Sequence, residues 1–243
     1  MGFSIEKIRQ ETFTSLDGVM SFVKSEEERL IRIPVYGLLK NGARFSEDKG
    51  IKAGDQTYKF NELSFRLLCG LVGVQSATLL DLKQHGLATN LLNDLFLSGS
   101  ISRKIDTLEM VCDEENDQIL GFVSDKYVGY SNNRFINDIL IALDPDTNTS
   151  SLFPDLLDFD FEKAYSINSK LHLRITSTKI TGEVKGLGGE GKDVSKVGLE
   201  LSNSMAGGHA LRISYFIHRM LCANGLIAPV SGGLGRVMHS GSE

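Results

Sequence analysis

This chain of 243 residues has no tryptophan, only three cysteines and no long apolar run. Cys69, Cys112 and Cys222 are odd in number and far apart, without a Cys-x-x-Cys pair or a His in ligand spacing. That pattern argues against a disulfide framework and against a zinc site, and the three read as reduced packing residues. The longest apolar stretches, 67–74 and 221–230, are interrupted by Cys, Gly, Asn or Pro. Both fall far short of the ~20 residues that a membrane-spanning helix needs. The opening MGFSIEKIRQE carries charges where a signal peptide needs an apolar stretch, and Glu6 stands where a myristoylation motif wants Ser or Thr. A cytoplasmic protein with no membrane partner is expected, and no repeat of solenoid period is seen. The close, RVMHSGSE, is polar and abrupt, as expected of a fragment of a longer protein.

What is present is an apolar fraction of 41%, enough for a buried core, and an uneven charge. Residues 163–243 hold ten Lys or Arg against five Asp or Glu, a balance of +5, which leaves −10 on the first 162 residues out of a total of −5. Such asymmetry fits either a polyanion-binding surface or the solvated face of a mixed sheet.

Periodicity divides the chain. Ile5, Ile8, Phe13, Leu16, Met20 and Phe22 recur at three or four, predicting an amphipathic helix over the first ~25 residues, weakened by Gly18. LIRIPVYGLL alternates around Pro34 and predicts an edge strand; residues 42–58 read as a polar loop or short hairpin. Asn61 caps a helix, ELSFRLLCGLVG, and a leucine-rich helix follows over 76–97. From Lys104 the period becomes two: ISRKIDTLEMVC and ILGFVSDKYVGY form strands around the turn DEENDQ, and Asn132 or Asn133 caps RFINDILIAL. Residues 144–160 read as a linker or a surface excursion. KAYSINSK, LHLRITSTKI, KVGLELSN and HALRISYFIHRML then alternate as an antiparallel meander. The fold class expected is α+β, with a helical N-terminal half and a mainly antiparallel sheet in the C-terminal half. The division is a mostly helical region 1–103 and a domain 104–243, or one continuous domain.

Catalytic patterns are weak. Residues 186–193, GLGGEGKD, nearly match a phosphate-binding loop, but Asp193 replaces the magnesium-binding hydroxyl, Glu190 adds a negative charge, and a strand follows rather than a helix. A hairpin loop is the better reading, and as a basic finger it would touch a nucleic-acid backbone. His218 and Cys222 lie four apart, roughly 13 Å along a strand. The carboxylates Asp158 and Asp160, or Glu114, Glu115 and Asp117, sit in polar turns. No catalytic residue, metal or cofactor is expected. Cations with interleaved rings are the better signal: Lys126 with Tyr127 and Tyr130, Lys163 with Tyr165, Arg212 with Tyr215 and Arg219. In HALRISYFIHRML, alternation places Arg212, Ser214, Phe216 and His218 on an outward face, and Leu211, Ile213, Tyr215, Ile217 and Arg219 on a buried one.

Two blocks then stand out: GFVSDKYVGYSNNRFINDIL and LELSNSMAGGHALRISYFIHRMLCANGL. Through Val123, Ser124, Tyr127 and Asn132, then Asn203, Ser204 and Gly207, then Arg219, Cys222 and Asn224, the stretch 120–226 resembles the phage/plasmid-like proteins of the domain-of-unknown-function family 932. The resemblance implies a mobile-element protein, in host cytoplasm if phage-borne, whose layout is similar to the cores of single-strand annealing recombinases. Asn203, Ser204, Gly207, Cys222 and Asn224 take structural roles, and Arg219 is a buried paired arginine or a phosphate contact. The expectation is a non-enzymatic, homo-oligomeric protein that binds single-stranded DNA through Lys126, Tyr127, Arg174, Lys185, Lys192, Arg212 and Arg219. The alternative is a host-modulating protein-interaction module acting through the acidic half, and a third reading is a hydrolase using His218 and Cys222.

Overall fold

Helices begin where a side chain satisfies the free backbone donors of the first turn. The computed structural model describes residues 10–46, 50–76, 78–79, 87–97, 106–143, 159–185, 192–207, 209–219, 227–228 and 233–237. In it, α1 (Leu16–Arg29) opens on Ser15, whose hydroxyl accepts from the Gly18 N–H at 3.2 Å. α2 (Val35–Lys40) follows Pro34, whose fixed φ of −62° suits a helix start. α3 (Glu62–Val72) has a capping box in which Asn61 Oδ1 accepts from the Ser64 N–H at 2.8 Å and Ser64 Oγ from the Asn61 N–H at 3.1 Å. It stops at Gly73, in the left-handed region. α4 (Leu87–Leu97) and α5 (Asn132–Leu143) follow.

The strands form two sheets. The larger has the order β1 (Gln10–Phe13), β8 (Phe159–Ile167), β9 (Lys170–Lys185), β10 (Lys192–Ser204), β11 (Leu211–Arg219), β12 (Ile227–Ala228), with β13 (Gly233–Val237) also on β11. Every pair in it is antiparallel. The smaller has the order β2 (Leu30–Pro34), β6 (Leu108–Asp113), β7 (Gln118–Ser124), β5 (Gln56–Phe60), β4 (Gly50–Ala53), β3 (Arg44–Ser46), and β5 runs parallel to β7. Each sheet buries one face under helices. Phe60, Leu68, Leu92, Met110 and Ile119 lie between the smaller sheet and α2, α3 and α4. Val19, Val23, Ile136, Leu171, Leu173 and Leu201 join α1 and α5 to the larger sheet. Fully burying each such side chain contributes about 1.5–3 kcal/mol. The opposite side of the smaller sheet carries a third, small cluster, where Val111, Leu120 and Val123 meet Ala206. Contact there is close: a Cβ on Gly121 would stand 2.0 Å from the Ala206 carbonyl oxygen.

The α+β class and the antiparallel meander of β8 to β11 are as expected; a helical N-terminal half is not. Five strands precede residue 61, and both sheets draw strands from either side of residue 103. The predicted first helix is divided: residues 10–13 are strand β1, and α1 runs on to Arg29. The three-to-four spacing misleads because strand and helix feed one core, with Phe13 and Phe22 rings 4.9 Å apart. Ile5 and Ile8 lie outside the described residues. β2 is the predicted edge strand, but it ends at Pro34, and Val35 and Leu39 are buried one helical turn apart in α2. Residues 42–58, read as a loop or short hairpin, contain strands β3 and β4 and most of β5. α5 is capped by Ser131, whose hydroxyl accepts from the Arg134 N–H at 3.1 Å, not by Asn132 or Asn133. Of the predicted helix 76–97, Ser76, Thr78 and Leu79 are helical, with the Leu79 N–H bonded to the Gln75 carbonyl, and α4 is described; residues 77 and 80–86 lie outside the described set. So do residues 144–158 of the linker and the glycine loop 186–191.

Candidate nucleic-acid interface

Strand alternation sorts the larger sheet into two faces. With Ala164, Leu171, Leu173, Ile175, Leu201 and Ile213 packed toward α1 and α5, the intervening residues face out. Register places Lys163 opposite Arg174 and Arg174 opposite Glu200; the next rung joins Tyr165, His172, Ser202 and Arg212. Asp160 and Lys170 flank these rungs, and Lys196 continues the face on β10; Phe216, expected to face outward, is on this side of β11 but buried at 3% exposure, in the space left by Gly198 and under Arg174. Among the residues whose side chains are described, the outer face presents five cations (Lys163, Lys170, Arg174, Lys196, Arg212) against two carboxylates, Asp160 and Glu200.

Rings lie among those cations. Tyr165 stacks on His172, centroids 4.5 Å apart and planes within 11°. The Arg174 guanidinium sits over Phe216 at 5.6 Å, and Gly198 clears the way for that ring, since a Cβ there would be 2.4 Å from Phe216 Cζ. Arg174 Nη2 is 3.3 Å from Glu200 Oε2, and His172 Nδ1 is 3.6 Å from Glu200 Oε1. Burial, with the charge of Lys170 next, pushes the His172 imidazole down to about 4, so it is neutral at pH 7. Burial also lowers Lys170 and raises Tyr165. Arg212 is exposed.

A second polar constellation lies where the two sheets meet. Glu26, on α1, is 5% exposed, and its carboxylate accepts from Ser169 Oγ at 2.8 Å and Asn132 Nδ2 at 3.1 Å. Burial raises its pKa, opposed by those two hydrogen bonds. Asn203, fully buried, donates to the Tyr130 carbonyl at 2.7 Å and to Asn132 Oδ1 at 2.9 Å. The Ser169 carbonyl accepts from the Met205 N–H at 3.1 Å, which helps hold Ser169 at φ 59°. Tyr127 donates its hydroxyl to the Ser204 carbonyl at 2.6 Å, Ser204 Oγ donates to the Gly207 carbonyl at 2.7 Å, and Gly207 turns at φ 80°. Asn168 reaches across to the Leu120 carbonyl at 2.6 Å and also pairs with Asn61.

The residues expected to bind nucleic acid thus divide. Arg174 and Arg212 share the outer face, Arg174 half-buried and engaged by Glu200. Lys185 pairs with Lys192 across β9 and β10, and Arg219 with Ser195 across β10 and β11, which places their backbones on the same sheet. Tyr127 belongs to the seam instead: its hydroxyl is used there, and Arg32 covers its ring at 5.1 Å while donating to its carbonyl at 3.1 Å. Lys126 is exposed in the adjoining turn. Of the structural residues, Asn203, Ser204 and Gly207 converge on the seam, whereas Cys222 and Asn224 lie outside the described residues. Cys69 and Cys112 are buried, and burial pushes their thiols up to about 11 and about 12. Glu26, Ser169, His172 and Glu200 were not singled out from the sequence. The period-two run Lys170, His172, Arg174 was the signal available for His172, while for Glu26 no local signal exists.

Comparison with protein-family models, with curated proteins and with solved structures finds no match to this chain. Among the described residues no helix is long and apolar enough to cross a membrane.

Proposed function

We propose that the outer face of the larger sheet binds single-stranded DNA, without catalysis. The observation that carries this reading is the mixture of five cations with the Tyr165–His172 stack on one sheet face. Phosphates are held by Lys and Arg, and unpaired bases offer flat surfaces to aromatic rings, so a single strand uses both halves of the surface. A duplex keeps its bases stacked on one another and engages only the cations. The mobile-element setting and the self-assembly implied by the resemblance belong to the same proposal.

The test is fluorescence anisotropy with a labelled oligothymidine of about 30 nucleotides and with a duplex, followed by mass photometry of the same samples. Five phosphate contacts predict a log–log salt slope of about −3.5, or about a hundredfold loss of affinity between about 50 and 200 mM salt. Tyr165→Ala should weaken single-strand binding by about 1–3 kcal/mol, the contribution of one stacked base. Absence of binding to either form at low salt, or equal affinity for Arg212→Glu and the wild type, overturns the reading.

A further inference from the structure

Glu200 is the carboxylate at the centre of a face otherwise suited to phosphate, and phosphate alone gives it no purpose. Lys163, Lys170, His172, Arg174 and Arg212 surround it on β8, β9 and β11, so a strand drawn to the cations passes over a negative charge. Holding Arg174 in place does not account for it. The contact to Arg174 is a single one at 3.3 Å rather than a two-pronged fork, and the guanidinium already rests over Phe216 at 5.6 Å. His172 gives the carboxylate no ionic partner at pH 7, because its imidazole is neutral. A carboxylate accepts about four hydrogen bonds. Arg174 supplies one, and the Glu200 side chain remains 30% exposed.

We propose that Glu200 makes this face a reader of guanine in single-stranded DNA, an inference that rests on the DNA-binding reading above. The His172 edge of the Tyr165–His172 stack lies 3.6 Å from Glu200, so the stacking surface and the acceptor share one rim. Guanine carries two parallel donors, N1–H and the N2 amino group, on its Watson–Crick edge, and they match the two oxygens of a carboxylate. Cytosine and adenine set one amino group beside an acceptor nitrogen, and thymine sets one N–H between two carbonyls; each brings a lone pair against the carboxylate. Arg174 then positions Glu200, and the surrounding cations take the phosphates on either side.

The experiment compares wild type and Glu200→Gln by anisotropy on four strands of equal length: oligothymidine and alternating thymidine with guanosine, cytidine or adenosine, in lithium buffer to keep guanine strands unfolded. Wild type should bind the guanosine strand about tenfold or more tightly than the other three, as hydrogen bonds to a charged acceptor imply. Glutamine offers one acceptor and one donor, which no longer match the two parallel donors of guanine, so Glu200→Gln should lose the guanosine preference while keeping or raising the affinity for oligothymidine. That retained affinity also reports that the variant is folded. Equal wild-type affinity for the four strands, or a guanosine preference that survives in Glu200→Gln, overturns guanine reading and leaves a sequence-neutral DNA surface. Binding to none of the strands overturns the DNA-binding reading and this inference with it.

Discussion

Replacing Glu26 by Gln should remove one component of the pH dependence of stability, with a predictable sign. Glu26 is 5% exposed, its hydrogen-bond partners Ser169 and Asn132 are neutral donors, and burial holds its pKa above the ordinary 4.5. The folded state therefore keeps this proton to higher pH than the unfolded state does. Between the two titrations folding takes up a proton, so stability falls as pH rises; the contribution is complete below about pH 4.5 and is lost as pH passes through the folded value. The loss is at most about 1.4 kcal/mol per pH unit. For a chain of this size ~1 kcal/mol shifts Tm by about 2–4 °C, which gives at most about 3–6 °C per unit. His172 acts in the opposite sense: burial holds it down to about 4, so its contribution is present above its ordinary 6.5 and is lost as pH falls through about 4. The raw curve mixes the two, and the difference between wild type and Glu26→Gln isolates the carboxylate. The variant keeps the network, because glutamine accepts from Asn132 while its amide donates to the Ser169 hydroxyl, which can turn to accept. Differential scanning calorimetry of both proteins from about pH 4 to 8 should show the variant gaining Tm over wild type as pH rises from about 4.5. Parallel curves across that range would refute a buried, raised Glu26.

Two further substitutions test the seam. Gly121→Ala places a Cβ 2.0 Å from the Ala206 carbonyl oxygen, a backbone atom that cannot turn aside, so the strand must shift; the expected cost is about 1–3 kcal/mol, read as a lower urea midpoint at unchanged slope. Asn203→Ala leaves the Tyr130 carbonyl and Asn132 Oδ1 without this donor, at about 1–3 kcal/mol each, and Tm should fall by at least about 4 °C. A change below about 2 °C would show that Asn203 is not a tie between β10 and the start of α5.

Elements with local signals were readable in advance. α3 announces itself by Asn61 at its start and Gly73 at its end, and the β6–β7 hairpin by two alternating runs around a turn where Asn116 donates to the Asp113 carboxylate. Elements defined by distant partners were not. β1 is four residues whose strand character comes from pairing with β8, more than 140 positions away, and the parallel β5–β7 pair depends on chain returning through α3, α4 and β6. The same distinction holds for the sites. Arg174 and Arg212 follow from alternation within one strand. Glu26 sits in the run SEEER, which reads as a solvated helix face until α5 and the β8–β9 turn close over it.

The seam and the outer face also separate what a sequence resemblance can carry from what it cannot. Of the residues on which the resemblance rests, Tyr127, Asn132, Asn203, Ser204 and Gly207 meet at the seam, where their polar groups are engaged with one another, with Glu26 and with nearby backbone. Groups committed in this way fix how two sheets dock, since a partly satisfied buried network costs more than an apolar one. Such residues specify an architecture rather than a ligand. Lys163, Tyr165, His172, Arg174, Glu200 and Arg212 lie outside those matched positions, on a face the fold does not need in order to close. Their chemistry is therefore separable from the packing that closes the fold. If so, Glu200→Gln should alter what is bound with little effect on Tm, whereas Asn203→Ala should lower Tm while leaving the preference among bound strands unchanged at temperatures where the variant stays folded.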